Sequence, residues 1–397
     1  MIAKERALKN LKNAAWLQDE ATQIIFHLLD GEQGRTKAVG GIVRNSLIGR
    51  NSAKTDIDFA TELLPQEVIE RAKKANIAYY PTGIEHGTIT LRIGKKTFEI
   101  TTLRQDIKTD GRHAEVQFGT DWVTDAKRRD FTINALYVDY NAELFDPLSG
   151  LKDCLAGKVR FIGNADERIK EDRLRTFRFF RFSASHAMQK LDEVGLKACE
   201  RAANDLGNIS AERVGAEMER MLSLKYIAKS LTLMSEIGVL SLSVSVLEQL
   251  FLYEGFTDNP VFEARLAIIL GQYEKAKLQK LWRLSNAQIK GAVTLLNGAK
   301  LLHENKINEA AYHYKNIILD IVPLAGAIYH WEHKKLLQIS RRLSAIKVPS
   351  FPISGKILID AGIEPSQKLG KILTKLESEW IESDFKLTRE ELLNRID

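Results

Sequence analysis

The stretch Ala38-Val39-Gly40-Gly41-Ile42-Val43-Arg44-Asn45-Ser46-Leu47-Ile48-Gly49, followed shortly by Asp56-Ile57-Asp58, decides how this chain is read. Its pattern is strand, glycine turn, helix, strand. Gly40 and Gly41 let backbone N–H groups approach phosphate oxygens at the start of the helix, and Arg44, one turn in, is placed to meet triphosphate charge. Alternation along the second strand puts Asp56 and Asp58 on one face. Two adjacent carboxylates repel unless a cation joins them, and hard oxygen ligands of this kind suit Mg²⁺ in phosphoryl chemistry. A lone Gly-Gly is usually a turn and a lone Asp-x-Asp a solvated strand end, but in this order each strengthens the other.

Around this stretch, residues 36 to 165 mix β-rich runs (TKAVGG, TDIDFAT, GTITLRIG, KTFEITTLR) with helical segments, which predicts a small domain around one mixed sheet, the only sheet expected. Within it Glu99, in Phe98-Glu99-Ile100, is a candidate third carboxylate for the metal site. From Asn164, an expected N-cap, the pattern is helical almost throughout, starting with the run ADERIKEDRLRTFRFFRFSAS. Breaks are expected near Gly207 to Ser210, Asp258 to Pro260, Pro323 and Val348 to Ser354. The chain therefore reads as α+β: a head at 1–163, then all-helical segments at 164–225, 226–322 and 323–397.

Composition agrees with a multidomain globular protein. The 397 residues exceed one ordinary core, and 44% hydrophobic with 28% charged residues leaves no extended disordered class. A net charge of +6 fits a polyanionic partner without requiring one. Cys154 and Cys199 lack metal-site spacing and read as buried apolar residues in a reducing cytoplasm. No signal-peptide core or membrane-length apolar stretch occurs, and no obligatory protein partner is evident.

Two further segments carry chemistry. Lys127-Arg128-Arg129-Asp130-Phe131-Thr132-Ile133-Asn134 is a basic cluster read as leading into a helix, with Arg129 available to phosphate and Asp130 and Asn134 to a ribose hydroxyl. The alternative is a charged helix start with Asn134 in a local bond. In Glu171-Asp172-Arg173-Leu174-Arg175, a continuous helix makes Asp172 and Arg175 neighbours, beside an apolar stripe of Leu174, Phe177, Phe180 and Ala184. A carboxylate accepts from an exocyclic amine and a guanidinium donates to a ring nitrogen. The pair thus matches the Watson–Crick edges of cytosine and adenine, and a mismatch would cost roughly 1 to 3 kcal/mol per unsatisfied group. The commoner fate of such spacing is an i,i+3 ion pair on a solvated face. Arg178 and Arg181 are further nucleotide-binding candidates, although in an ideal helix Arg181 projects toward the apolar stripe.

Together these segments resemble the class II tRNA nucleotidyltransferases, the bacterial CCA-adding enzymes and poly(A) polymerases of the DNA polymerase β-like superfamily. The resemblance rests on GGIVRNSLIG with DID, FEITTLR, RRDFTINA, DPLSGLKDCLAGKVR and EDRLRTFRFFRF in family order, across residues 38 to 184. It implies a polymerase β-like head followed by helical neck, body and tail. It also implies metal binding by Asp56 and Asp58, nucleotide contact by Gly41 and Arg44, ribose contact by Arg129 and Asp130, and selection of CTP and ATP by Asp172 and Arg175. Asn45 and Arg173 depart from the aspartate and proline that the family pattern carries there.

The resemblance returns at Pro352 to Leu373, a tail-like segment that favours tRNA as partner. Lys275, Lys277, Lys280, Arg283, Lys290 and Lys300, then Lys334, Lys335, Arg341 and Arg342, form basic groups suited to RNA or to a solvated face. His330-Trp331-Glu332-His333 has metal-like spacing but lacks a third ligand. The expected activity is template-independent CCA addition to tRNA 3′ ends. Its rivals are poly(A) polymerase, a CC-only or A-only enzyme differing around Asp106 to Trp122, and a non-catalytic RNA-binding protein.

Overall fold

Short β-branched and aromatic runs separated by turns build the strands β1 (Thr36–Val39), β2 (Ile57–Thr61), β3 (Ala78–Gly83), β4 (Thr88–Ile93), β5 (Lys96–Thr102), β6 (Arg104–Asp110), β7 (His113–Phe118), β8 (Tyr137–Val138) and β9 (Leu144–Phe145). This computed structural model describes residues 2–50, 56–110, 113–207, 209–365 and 367–396. Seven strands form one mixed sheet in the order β3-β4-β5-β2-β1-β8-β9, in which only β2 and β5 run parallel. Ile57 and Phe59 on β2, with Phe98 and Ile100 on β5, point into the core, and Phe59 meets Phe26 edge-on at 5.1 Å. The alternate residues Asp58 and Glu99 consequently share the opposite face.

Strands β6 and β7 form a second, two-stranded antiparallel sheet, so the single sheet read from sequence is one too few. RQDIKTD holds a single apolar residue, Ile107, and lacks the alternation that marks a half-buried strand, so HAEVQF, which does alternate Ala114, Val116 and Phe118 with polar residues, has no matching strand signal beside it.

The chain divides into two units, Met1–Glu217 with Leu233–Ser241, and Met218–Thr232 with Leu242–Asp397. The first contains the sheets and helices α1 (Ile2–Lys12), α2 (Glu20–Leu28), α3 (Gly41–Leu47), α4 (Pro65–Lys74), α5 (Trp122–Arg128), α6 (Gly150–Ala156), α7 (Ala165–Glu171), α8 (Leu174–His186) and α9 (Glu193–Ala202). Helices α10 (Ala211–Leu222) and α11 (Ala228–Glu236) each belong partly to both units. Asn164 caps α7 as expected, accepting from the N–H groups of Asp166 and Glu167.

The long helix expected from Ala165 onward is broken at Asp172. Its backbone is extended (φ −149°, ψ 103°), and α8 begins at Leu174. The Asp172 carboxylate competes with the helical backbone by accepting from Leu174 N–H at 3.1 Å. Arg173 has φ −61°, the value a proline ring imposes, and the extended residue before it is what a proline demands; the position accommodates either residue. Helix α8 is also buried beyond the expected stripe, because Phe179 and Phe182 pack on Phe131 while Phe177 and Phe180 face inward.

The second unit is all helix among its described residues, with α12 (Val244–Phe256), α13 (Phe262–Leu270), α14 (Lys275–Trp282), α15 (Asn286–His303), α16 (Ile307–His313), α17 (Ile318–Ile328), α18 (His333–Ala345), α19 (Gly355–Asp360), α20 (Gln367–Glu382) and α21 (Arg389–Leu393). The expected break at Pro323 does not occur; α17 runs through it. The carbonyl that loses its helical donor belongs to Leu319, which is 85% exposed and open to solvent, so the missing bond is cheaply replaced. Leu358, Leu376, Trp380, Ile381 and Leu392 close a separate tail core. The basic residues of α14, α15 and α18 singled out above are exposed. His330 lies before α18 while His333 begins it, and among the described residues no metal cluster includes them.

Candidate active site

The pairing of β2 with β5 sets Glu99 directly beside Asp58. This resolves what spacing alone left open, whether the two strands are neighbours. Asp56, exposed, stands just before β2, two residues from Asp58. Burial, then the negative charge of Glu99 and, more weakly, Asp56, pushes the Asp58 carboxyl up to about 7, against the pull of Arg129. Like charges held on one sheet face are destabilised until a cation joins them, so the donor set fits a hard divalent ion. Among the described residues no three such groups are already converged as a finished cage.

The glycine turn behaves as its sequence requires. Gly40 has φ +78° and ψ −125°, a conformation that disfavours side chains, and its N–H donates to Leu136 O at 3.0 Å. Helix α3 then begins at Gly41 and buries Arg44 to 5% exposure. Arg44 donates to the Asn134 side-chain oxygen and to Asn45 Oδ1 (Nε 3.3 Å, Nη2 3.2 Å). Burial, with Arg181 and Arg178 nearby, brings its guanidinium down to about 10.

Asn134 and Asp130 do not sit on a helix. Helix α5 ends at Arg128, and Thr132–Asn134 is a single 3-10 turn. Within it Asn134 Nδ2 donates to Asp130 Oδ1 at 2.9 Å, and the other Asp130 oxygen accepts from Arg178 Nε at 2.8 Å. Burial alone would raise Asp130, but Arg178, Asn134 and the Phe131 N–H take it down to about 2. Arg178 and Arg181 converge on Glu217, and the Phe182 ring lies 4.0 Å from Arg181, 5.0 Å from Arg44 and 5.3 Å from Arg178. Arg44, Asp130, Asn134, Arg178 and Arg181 thus form one connected group.

Arg129 is held apart from them by Asp125, which is fully buried and also receives Arg128 and the Tyr137 hydroxyl. Asp172 and Arg175 are close in chain but not paired, which removes the plain ion-pair reading. Asp172 Oδ2 accepts from Arg213 at 2.7 Å, while Arg175 donates to Glu171 at 2.6 Å and to the Arg168 carbonyl at 2.9 Å. DPLSGLKD braces the 3-10 turn. Asp146 caps Gly150 N–H at 2.7 Å, and a Cβ on Gly150 would lie 2.1 Å from the Thr132 carbonyl oxygen. Thr132 donates in turn to Asp153 at 2.6 Å. Sequence reading missed Asp125, Glu217 and Arg213. All three lie in charged or mixed stretches where nothing local marks a buried partner.

The Poly A polymerase head domain family matches residues 36–160, and the family described as the probable RNA and SrmB-binding site of polymerase A matches residues 190–249. The mitochondrial CCA tRNA nucleotidyltransferase 1 of Mus musculus is 32% identical over 396 residues, covering 95% of this chain and 90% of its own. The chain belongs to the CCA tRNA nucleotidyltransferase family. The CCA-adding enzyme of Lactococcus lactis subsp. lactis is 31% identical over 366 residues, with 88% of this chain and 89% of its own length covered. The fold is also that of the Bacillus stearothermophilus CCA-adding enzyme solved with CTP, at TM-score 0.74 and 24% identity over 95% of this chain and 96% of that one. No helix among the described residues is long and apolar enough to cross a membrane.

Proposed function

We propose that this family member adds CCA to tRNA 3′ ends from CTP and ATP, with Asp56, Asp58 and Glu99 as its metal-facing carboxylates. The observation that carries the site assignment is the register of β2 and β5, which sets Glu99 beside a charge-stressed Asp58. Mg²⁺ is the ion that oxygen ligands and phosphoryl transfer favour, and bound there it would supply charge stabilisation at the α-phosphate. The reaction forms a bond from the RNA 3′-oxygen to the α-phosphorus and breaks the α–β bridge, releasing pyrophosphate.

The chain's own residues bind and orient. The N-terminal turn of α3, with Gly40 and Gly41, and Arg44 receive the triphosphate; Asp130 and Asn134 face the ribose; Arg129, braced by Asp125, supports the phosphate side. Asp172 and Arg175 read the base edge, exchanging Arg213 and Glu171 for cytosine or adenine. Residues 1–163 serve as catalytic head, 164–225 as base-reading neck, and 226–322 with 323–397 as tRNA-binding body and tail. Two buried unpaired cysteines fit a cytoplasmic setting; the mitochondrial names belong to the vertebrate relatives.

The test incubates the protein with tRNA transcripts ending before CCA or in CC, and with unstructured RNA, supplying each nucleotide separately. Asp58→Ala should abolish incorporation while tRNA binding persists; a fully active variant would sink the assignment. Long adenosine tails on unstructured RNA would favour the poly(A) polymerase reading instead.

A further inference from the structure

We infer, on the reading that Arg175 contacts the base edge, that Arg168 is a positioning residue for that contact: it shares the acceptors on which Arg175 rests, so that Arg175 can turn to a nucleobase without stranding them.

Arg168 on α7 and Arg175 in the first turn of α8 are only 11% and 12% exposed and lie against one set of acceptors. Glu171 Oε2 takes Nη1 of both, from Arg175 at 2.6 Å. The Arg128 carbonyl takes Nη2 of both, from Arg175 more loosely at 3.3 Å. The third acceptor of Arg175 is the Arg168 carbonyl at 2.9 Å, which also faces the Asp172 N–H at 3.4 Å. Each acceptor of Arg175 therefore has a second donor. Arg168 is tied more firmly, because it also donates to the Arg129 carbonyl at 2.7 Å. Its guanidinium thus closes the carbonyl end of α5, where a cation is favoured. Arg168 is built to stay and Arg175 to leave.

Charge follows the same division. Two guanidiniums face one carboxylate, and among the described residues neither is ion-paired to another acid. Burial, then the charge of Arg175, pulls the Arg168 guanidinium down, so the two cations oppose each other. When Arg175 leaves, Arg168 and Glu171 remain as a one-to-one pair. Without Arg168 the same movement would leave Glu171, only 32% exposed, with no counter-ion, and Arg175 would be held where it rests. A carboxamide at position 168 still donates to the α5 carbonyls but cannot balance Glu171, which separates the two parts of the role.

The test uses the full chain, titrating CTP with tRNA ending before CCA, ATP with tRNA ending in CC, and each tRNA separately. Arg168→Gln should raise the KM for both nucleotides roughly tenfold, leave kcat within about twofold, and leave the tRNA KM unchanged. Arg168→Lys, which keeps a cation beside Glu171, should recover most of the loss. Adding Glu171→Gln to Arg168→Gln should also bring the nucleotide KM back toward wild type, because Arg175 then leaves no carboxylate behind. The melting temperature lost in Arg168→Gln should not return with it, since the α5 carbonyls are no better served. A residue that only closes α5 would move the melting temperature and gain nothing from Glu171→Gln. Wild-type nucleotide KM in Arg168→Gln, Lys no better than Gln, or no recovery with Glu171→Gln overturns the inference. If Arg168→Gln does not fold, Arg168→Met is read in its place, and failure of both to fold makes Arg168 a residue of the fold and overturns it too. Arg175→Gln separates the layers: unchanged nucleotide KM there overturns the base-reading assignment itself, whereas a raised value beside an inert Arg168→Gln overturns only the role of Arg168.

Discussion

Arg44 on α3 and Arg265 on α13 are both buried arginines, one in each unit, and they are put to opposite uses. Arg265 is fully buried and donates to the carbonyls of Leu222, Leu224 and Lys225 and to Glu254 at 2.9 Å. Glu254 accepts in turn from the N–H groups of Ile227 and Ala228. The ion pair therefore splices the C-terminus of α10 to the N-terminus of α11, satisfying terminal groups that a helix leaves open. Arg44 has amides where Arg265 has a carboxylate and carbonyls. Burial pulls both guanidiniums down. Partner chemistry, rather than burial, separates the arginine that completes a fold from the one left able to bind.

Arg265→Met should be the more damaging change. It leaves Glu254 charged and buried with its counter-ion gone and three carbonyls without a donor, a loss of about 3 to 5 kcal/mol. Thermal unfolding should show a large drop for the second unit, while the folded fraction keeps its nucleotide KM. A loss under about 1 kcal/mol would break the comparison at its structural end.

Arg44→Met should reverse the pattern. Incorporation should fall roughly 10²- to 10³-fold, as when a charged donor is removed from a developing anion. Stability should stay within about 1 kcal/mol, since no carboxylate is stranded and a costly buried cation is removed. Steady-state kinetics beside a melting curve decide it. A collapse in melting temperature like that of Arg265→Met would mean that Arg44 is a structural arginine after all.

What the chain disclosed before its structure follows the reach of each interaction. β1, the glycine turn, α3 and β2 are local and carry their own signals, so that unit and its two aspartates were legible. Glu99 was visible as a residue but not as a neighbour of Asp58, because parallel pairing of β2 with β5 is settled by packing between residues 41 apart in sequence. The break at Asp172 was hidden by helical periodicity running through it, with arginine in place of a proline that would have announced it. The β6–β7 hairpin declares itself on one side only, because Ala114, Val116 and Phe118 alternate in β7 while β6 has the single apolar Ile107. Glu217 sits in AERVGAEMERML, where four other charged residues have equal claim to solvent, and only the fold shows which one is buried.

Asp130 offers the finest test, because it stands between the two kinds of arginine. Its carboxylate goes to Arg178 directly, whereas Arg44 is reached only through the Asn134 amide. The folded-state carboxyl lies at about 2, below its ordinary 3.8. A lowered acid contributes stability that is present above the unfolded value and is lost as pH falls through the folded one. The difference corresponds to about 2 kcal/mol at neutral pH. Asp130→Asn should therefore melt earlier than the wild type at pH 7, with the gap narrowing below pH 4 and closing toward pH 2. A gap that does not change with pH would show that the loss is one of shape or hydrogen bonding, not of charge. Closure on schedule would show that the charge of the Asp130 carboxylate, and not only its shape, holds this network together.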